Sequence, residues 1–180
     1  MTTTTQQYDR VIKSCKEIFL KKTKDYGTAW RVLRTISIID QIFIKAQRIR
    51  TIQEKKKQMI EDDITSELKG IANYAIIGLM QLELPEDNGE DLLIEKVSSL
   101  YDTNADAAKR IMEDKNHDYG EAWRNMSRES FIDLILMKIQ RIRKIMANDG
   151  KTLISEGIDA NYIDIINYAV FALILLEENR

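Results

Sequence analysis

Residues 22–50 read KTKDYGTAWRVLRTISIIDQIFIKAQRIR, and the pattern returns 93 positions later, over residues 115–143, as KNHDYGEAWRNMSRESFIDLILMKIQRIR. Sixteen of the 29 aligned positions are identical, where about two are expected by chance from average composition. After one inserted residue the match resumes with a shift of 94, so that Asn73-Tyr74-Ala75 aligns with Asn167-Tyr168-Ala169. The chain is therefore a tandem duplication.

The composition predicts helices. The chain of 180 residues has one Pro and seven Gly, and 44% of its residues are hydrophobic, whereas strand-rich domains use many more turn residues. We expect an all-α, tandem-duplicated bundle with pseudo-two-fold symmetry, because equivalent apolar helix faces can bury each other. Residues 1–84 form the first repeat, 85–89 a Pro-containing linker, and 90–180 the second repeat.

Local patterns predict where the helices begin and end. Gly27 and Gly120 are typical of helix C-caps, and Ser37 and Ser130 of N-caps, with Asp40 and Asp133 three residues on as a variant capping box. In the second repeat, Asp102-Thr103-Asn104 predicts a break between a helix over 90–99 and the next helix. The last helix of each repeat is expected over about 63–83 and 159–178.

Several protein classes are disfavoured. The formal net charge of -2 and pI near 5.6 do not indicate a basic nucleic-acid surface. The single cysteine, Cys15, cannot form an internal disulfide and favours a reducing cytosol. The apolar run over 163–176 is shorter than the roughly 20 residues that cross a bilayer, so it predicts a buried helix. A cytoplasmic location without membrane attachment is expected.

Asp164 and Asn167 are the residues most suggestive of chemistry. They lie three apart on one face of the most apolar helix, where a carboxylate costs several kcal/mol unless it meets a cation or a metal. One interpretation is an ion pair with Lys138 or Arg141. The other is a Mg²⁺ site, because Mg²⁺ prefers oxygen ligands. Asn167 and its equivalent Asn73 also suit hydrogen-bonded core amides.

The segment around the repeated Asp-Tyr-Gly turn carries further candidates. Tyr119 and Trp123 fit either core anchors or a wall on which a nucleotide base stacks. Asp118 supplies another carboxylate near the same turn. Glu156 stands in the loop before the last helix and aligns with Asp62, so both copies keep an acid there.

Together these motifs resemble the nucleotide modification associated domain 1 family. In the second copy they are Lys115, Asp118-Tyr119-Gly120, Trp123, Lys138, Arg141-Ile142, Glu156, Asp164 and Asn167-Tyr168-Ala169. The first copy matches except that Gly70 replaces Asp164. The layout is also similar, more distantly, to the all-α MazG-like nucleoside triphosphate pyrophosphohydrolases, although the paired carboxylates of their first metal-binding helix have no counterpart here.

These resemblances imply three alternative functions. The first is a Mg²⁺-dependent nucleotide pyrophosphohydrolase, in which Glu156 and Asp164 hold the metal and Lys138 and Arg141 contact phosphate. Nucleotide contacts would then come from Asp118, Tyr119, Trp123 and Asn167. The second is a non-catalytic nucleotide-binding or adaptor module, and the third a structural interaction protein. The expected ligand is a nucleotide or nucleoside phosphate, and a homo-oligomer is compatible with the sequence.

The loss of the carboxylate at Gly70 predicts asymmetry between the copies. We expect one functional site, around Asp164 and Glu156, with the first copy as scaffold. The alternative is that Glu67, one turn before Gly70, restores the missing carboxylate from a different position.

Overall fold

The computed structural model of the chain describes residues 3–55, 61–153 and 155–179, without the side chains of 61–63. The first copy contains α1 (Thr4–Tyr26), a 3-10 helix (Ala29–Val32), α2 (Thr35–Lys55) and α3 (Glu61–Glu83). The second contains α4 (Ile94–Tyr119), a 3-10 helix (Ala122–Asn125), α5 (Arg128–Ala147) and α6 (Ile158–Glu178). The described residues contain no strand. The predicted all-α, duplicated fold is confirmed, while the acid predicted at Asp62 lies among the side chains outside this description.

Equivalent helices of the two copies pack against each other. The central and most extensive contact joins α3 to α6, and further contacts join α2 to α5 and α1 to α4. Two ion pairs repeat the symmetry at the surface: Arg143 lies 3.1 Å from Asp40, and Arg50 lies 3.8 Å from Asp133. These aspartates therefore link the copies. Because each helix packs against its equivalent in the other copy, the two copies are related by a pseudo-two-fold axis.

The helix before each Asp-Tyr-Gly turn ends as predicted. Gly27 and Gly120 both have φ of 62°, with ψ of -147° and -155°, a conformation that is essentially restricted to glycine. In the first copy the turn is also tied to the segment between α3 and α4, because the Asp91 carboxylate accepts a hydrogen bond from the Thr28 amide at 2.9 Å. A Cβ on Gly27 would lie 2.5 Å from that carboxylate. Glycine is therefore required twice over at position 27.

The predicted N-caps at Ser37 and Ser130 are wrong. Both lie inside helices, since α2 begins at Thr35 and α5 at Arg128. The Ser37 amide already donates to the Arg34 carbonyl, and the Ser130 amide to the Ser127 carbonyl. Each 3-10 helix is followed by only two residues before the next helix starts, so the helix begins before the serine is reached.

The predicted break at Asp102-Thr103-Asn104 is also wrong, because α4 runs through it without interruption. The three polar side chains are all accommodated on the helix. Thr103 donates to the Ser99 carbonyl at 3.0 Å, Asn104 donates to the Leu100 carbonyl at 2.8 Å, and Asp102 pairs with Lys16 of α1 at 2.8 Å. Bonding back to the carbonyl four residues earlier lets such residues remain in a helix, and packing against α1 overrides their turn preference.

Helix α6 is the core helix that its apolar sequence predicts. It is long and apolar enough to cross a membrane, with a mean hydropathy of 1.4 over the relevant window, but 72% of that window is buried inside the protein. Cys15 of α1 is also in the core and fully buried, and this burial raises the pKa of its thiol to about 12. The interpretation of the apolar run over 163–176 as a buried helix is confirmed.

Candidate functional site

Each copy contains a pocket between the end of its first helix, its 3-10 helix and its last helix. The second-copy pocket has a volume of about 140 Å³ and is lined by residues that include Lys115, Tyr119, Trp123, Asp164, Asn167, Tyr168 and Phe171. The first-copy pocket has a volume of about 470 Å³ and is lined by residues that include Lys22, Tyr26, Trp30, Gly70, Asn73, Tyr74 and Ile77. These sets are position-by-position equivalents in the repeat alignment, so the same site exists twice with different contents.

In the second-copy pocket, Asp164 is held between two lysines. Its Oδ2 lies 2.7 Å from Lys138 Nζ, and its Oδ1 lies 3.0 Å from Lys115 Nζ. The side chains of Asp164 and Lys138 are 10% and 9% exposed, so the pair is formed in the interior. The predicted ion pair with Lys138 is confirmed. Arg141, the alternative partner, is exposed and lines a different depression.

The charge of Asp164 acts on its neighbours. Partial burial lowers the pKa of Lys115, but the hydrogen bond and charge of Asp164 outweigh it, and the pKa rises above its ordinary value. A lysine with a raised pKa stabilises the fold fully at neutral pH, and this contribution is lost only at alkaline pH, as the pH rises through the folded-state pKa. Burial, and secondly Asp164, raise the pKa of Tyr168. Both side chains therefore keep their protons at neutral pH.

The indole of Trp123 is covered by its own chain. The ring of Phe171 stacks on it with centroids 4.2 Å apart and an interplanar angle of 7°, and the Arg124 guanidinium lies 4.4 Å from the Trp123 centroid. Trp123 is only 6% exposed, so this residue is a core anchor in the second copy. Its Nε1, like that of Trp30, has no hydrogen-bond partner among the described residues, unlike the satisfied N–H usually found on buried tryptophans.

Asn167 and Asn73 are core amides that join the copies. The Asn167 Oδ1 accepts from the Tyr8 hydroxyl at 2.7 Å, and its Nδ2 donates to the Ala108 carbonyl at 3.1 Å. Asn73 repeats both contacts with the Tyr101 hydroxyl and the Cys15 carbonyl. Each asparagine thus binds its own copy's first helix and the tyrosine of the other copy. Although Asn167 lines the second-copy pocket as predicted, its amide is already engaged.

Two of the other predicted site residues, Glu156 and Asp118, lie outside the pocket that contains Asp164. Glu156 is exposed and lines a surface depression with Arg141. Asp118 is exposed and pairs with His117 at 3.2 Å, and Tyr119 is 77% exposed at the mouth of the second-copy pocket. The described residues contain no group of three or more His, Cys, Asp or Glu side chains placed to hold a metal. The paired carboxylate of Asp164 and the separately placed Glu156 do not form a Mg²⁺ donor set in this arrangement.

The first-copy pocket has a different charge arrangement. Its floor is Gly70, and Lys45 lies across it: a Cβ on Gly70 would stand 3.3 Å from Lys45 Nζ. Lys45 pairs with Glu67 at 3.5 Å, and Glu67 also pairs with Arg48 at 2.7 Å. Glu67 therefore supplies the carboxylate of the ion pair with Lys45, while its part in a functional site of the first copy stays a prediction. Because Glu67 binds from one turn earlier, the space above Gly70 holds no carboxylate and is crossed only by the flexible end of the Lys45 side chain.

Three features of this site are not among those predicted from the sequence. They are Lys22, Lys69 and the difference between Ile77 and Phe171, all of which lie in the two pockets. The repeat alignment contains a signal for the third feature. An aliphatic residue in one copy that aligns with an aromatic residue in the other indicates a difference in pocket volume. This signal alone does not predict the pocket, because nothing in the local sequence indicates that the residue at position 171 stacks on Trp123.

The comparison with known proteins gives a family and no further relative. No curated protein and no solved structure matches the chain, so the distant likeness to MazG-like enzymes stays a prediction. The profile of nucleotide modification associated domain 1 matches residues 22–82 and 115–176, which are the two copies with their pockets and together more than half of the chain. The chain therefore belongs to the nucleotide modification associated domain 1 family, as a tandem duplication of its domain.

Proposed function

We propose that the protein is a non-catalytic nucleotide-binding module and that its binding site is the first-copy pocket. The observation that supports this is the combination of cations and aromatic rings around an open volume. Lys22, Lys45 and Lys69 line the pocket together with Trp30 and Tyr74. Ammonium groups suit phosphate oxygens, and aromatic faces suit a base.

The size and exposure of the pocket agree with such a ligand. A volume of about 470 Å³ lies within the roughly 300–1,000 Å³ of typical small-molecule sites. Trp30 is half-buried, whereas Trp123 is buried, so the first copy keeps part of its indole accessible. The Lys45 ammonium lies over the ring of Tyr74, 5.9 Å from its centroid, which places a cation on an aromatic face at the pocket wall.

A charge-removing pair of variants tests the proposal. Lys22→Gln is expected to weaken nucleotide binding about tenfold, because a hydrogen bond to a charged group contributes roughly 1.5 kcal/mol. The matched control is Lys115→Gln at the equivalent position of the second copy, which should leave the affinity unchanged. Calorimetric titration of the full chain with nucleoside mono-, di- and triphosphates measures both. Absence of binding by any of them, or equal effects of the two variants, would contradict the site.

A magnesium-dependent pyrophosphohydrolase around Asp164 and Glu156 is the second candidate. It is favoured by one observation, the buried carboxylate that faces a pocket between two lysines. One observation argues against this candidate. A metal that bound an oxygen of Asp164 would have to displace the lysine paired with that oxygen, and removing the partner of a buried charge is costly.

The two candidates differ in their response to metal. Under our proposal, the affinity for a nucleoside monophosphate is the same with Mg²⁺ and with a chelator, and no pyrophosphate or phosphate is released from any nucleotide. Mg²⁺ titration of the wild type and of Asp164→Asn, with an assay of phosphate release, measures this. A tight Mg²⁺ site that disappears in Asp164→Asn, together with turnover, would establish the enzyme instead.

A further inference from the structure

The second-copy pocket contains a carboxylate and an aromatic ring from its own helix, at positions where the first-copy pocket has neither. Asp164 and Phe171 are replaced by Gly70 and Ile77. The carboxylate of Asp164 lies against two ammonium groups, and the ring of Phe171 lies flat on an indole. An anion between lysines and a ring stacked on tryptophan are also the two contacts that a nucleotide needs.

We infer that Asp164 and Phe171 occupy, within the second copy, the places that the phosphate and the base of a nucleoside monophosphate occupy in the first. This inference rests on the proposed function and makes the ligand and its orientation specific. The phosphate lies above Gly70, between Lys22 and Lys45, which are the equivalents of Lys115 and Lys138. The base lies against Trp30, the equivalent of Trp123.

The geometry at Gly70 supports this position for the anion. Lys45 already extends across the glycine, with its Cε 3.0 Å and its Nζ 3.3 Å from where a Cβ would be. The end of a lysine side chain is flexible, so it can turn toward an incoming oxygen. Lys22 lines the same pocket and has no ion pair among the residues the structure describes.

The charge of the pocket selects for a single phosphate. Three lysines and Glu67 line it, which leaves two net positive charges. A phosphate monoester carries about −1.5 to −2 charges at pH 7, so it is nearly neutralised. A triphosphate adds further negative charges beside Glu67, and this carboxylate repels them because it stays in place through its pair with Arg48 at 2.7 Å.

The first arm of the test uses the wild-type chain. Calorimetric titration should show a nucleoside monophosphate binding about tenfold more tightly than the corresponding triphosphate, since uncompensated charge opposes the latter. Inorganic phosphate should compete with the monophosphate. A triphosphate that binds more tightly would overturn the inference while leaving nucleotide binding established, and no binding by either would overturn the proposed function as well.

The second arm closes the pocket. Gly70→Asp is expected to weaken monophosphate binding about a hundredfold, because it places the second copy's carboxylate where the phosphate would lie. Gly70→Asn has the same size without the charge and should weaken binding less. Ile77→Phe closes the opposite end independently and should also abolish stacking of the base on Trp30. Thermal melts confirm folding, and undiminished binding by folded Gly70→Asp or Ile77→Phe would overturn the inference.

The third arm opens the other pocket. Asp164→Gly and Phe171→Ile remove the two inserted groups, and Asn161→Glu supplies Lys138 with the partner that Glu67 gives Lys45. With Ile163→Lys, which supplies the equivalent of Lys69, the quadruple variant copies the charges of the first-copy pocket into the second and should bind one additional nucleotide per chain. An unchanged stoichiometry in a variant that melts cooperatively would contradict the equivalence of the two pockets.

Discussion

Lys138→Met is expected to lower the free energy of unfolding by about 3 kcal/mol, because it leaves the carboxylate of Asp164 in the interior without its nearer partner. The two side chains are 9% and 10% exposed and lie 2.7 Å apart. Lys115 remains 3.0 Å from the other oxygen, but its side chain is 55% exposed. Because the contact with Lys115 is half-solvated, it offsets only part of the lost free energy of unfolding.

The repeat supplies a matched control for this variant. Lys45→Met removes the equivalent lysine of the first copy, where Glu67 keeps Arg48 at 2.7 Å as a second partner. Because Lys45 is 26% exposed, its loss should cost about 1 kcal/mol or less. Urea unfolding followed by circular dichroism measures both. Replacing the pair with Lys138→Met and Asp164→Leu should recover most of the stability, since an apolar pair avoids burying charge. Equal losses in the two single variants would contradict this account.

Gly78→Ala is expected to destabilise the protein by about 2 kcal/mol, although alanine normally stabilises a helix interior relative to glycine by about 1 kcal/mol. The sign reverses because of Tyr162, which packs from α6 directly onto the glycine in α3. An added Cβ would lie 2.4 Å from Tyr162 Cζ and 2.7 Å from its Cε1. A buried aromatic ring cannot move aside as the end of a flexible chain can, so the central α3–α6 contact must open.

The equivalent contact on the other side of the pseudo-two-fold axis shows how the change can be rescued. There, Leu68 replaces Tyr162 and Ala172 replaces Gly78. Leu68 and Ala172 line the same cavity, so adding Tyr162→Leu to Gly78→Ala gives these positions the residue types of the other copy and should recover part of the lost stability. The control Ala172→Gly should cost only about 1 kcal/mol, the difference in helix propensity. A Gly78→Ala variant with an unchanged or raised melting temperature would contradict the close packing.

Local helix boundaries were predictable only where one residue decides them. Gly27 and Gly120 end their helices because a positive φ is accessible to glycine, and this conformational preference is local to the residue. The helix break predicted at Asp102-Thr103-Asn104 is wrong because these side chains bond to carbonyls of α4 and to a lysine of α1. The turn preference of the residues does not include these contacts. The N-caps predicted at Ser37 and Ser130 are wrong for a similar reason, since the preceding 3-10 helix determines where the next helix starts.

The sequence by itself determined the duplication, the helical class and the need of Asp164 for a cation. These follow from repeated residues, apolar periodicity and the cost of burying a charge, none of which requires coordinates. Only the tertiary structure decided what occupies each pocket. Asp164 and Phe171 occupy much of the second-copy pocket. The first-copy pocket is larger because it has Gly70 and Ile77 at these positions, and its carboxylate comes from Glu67, one turn earlier. The reason is that pocket volume depends on side chains meeting from helices far apart in the chain, so equivalent sequence positions acquire different surroundings.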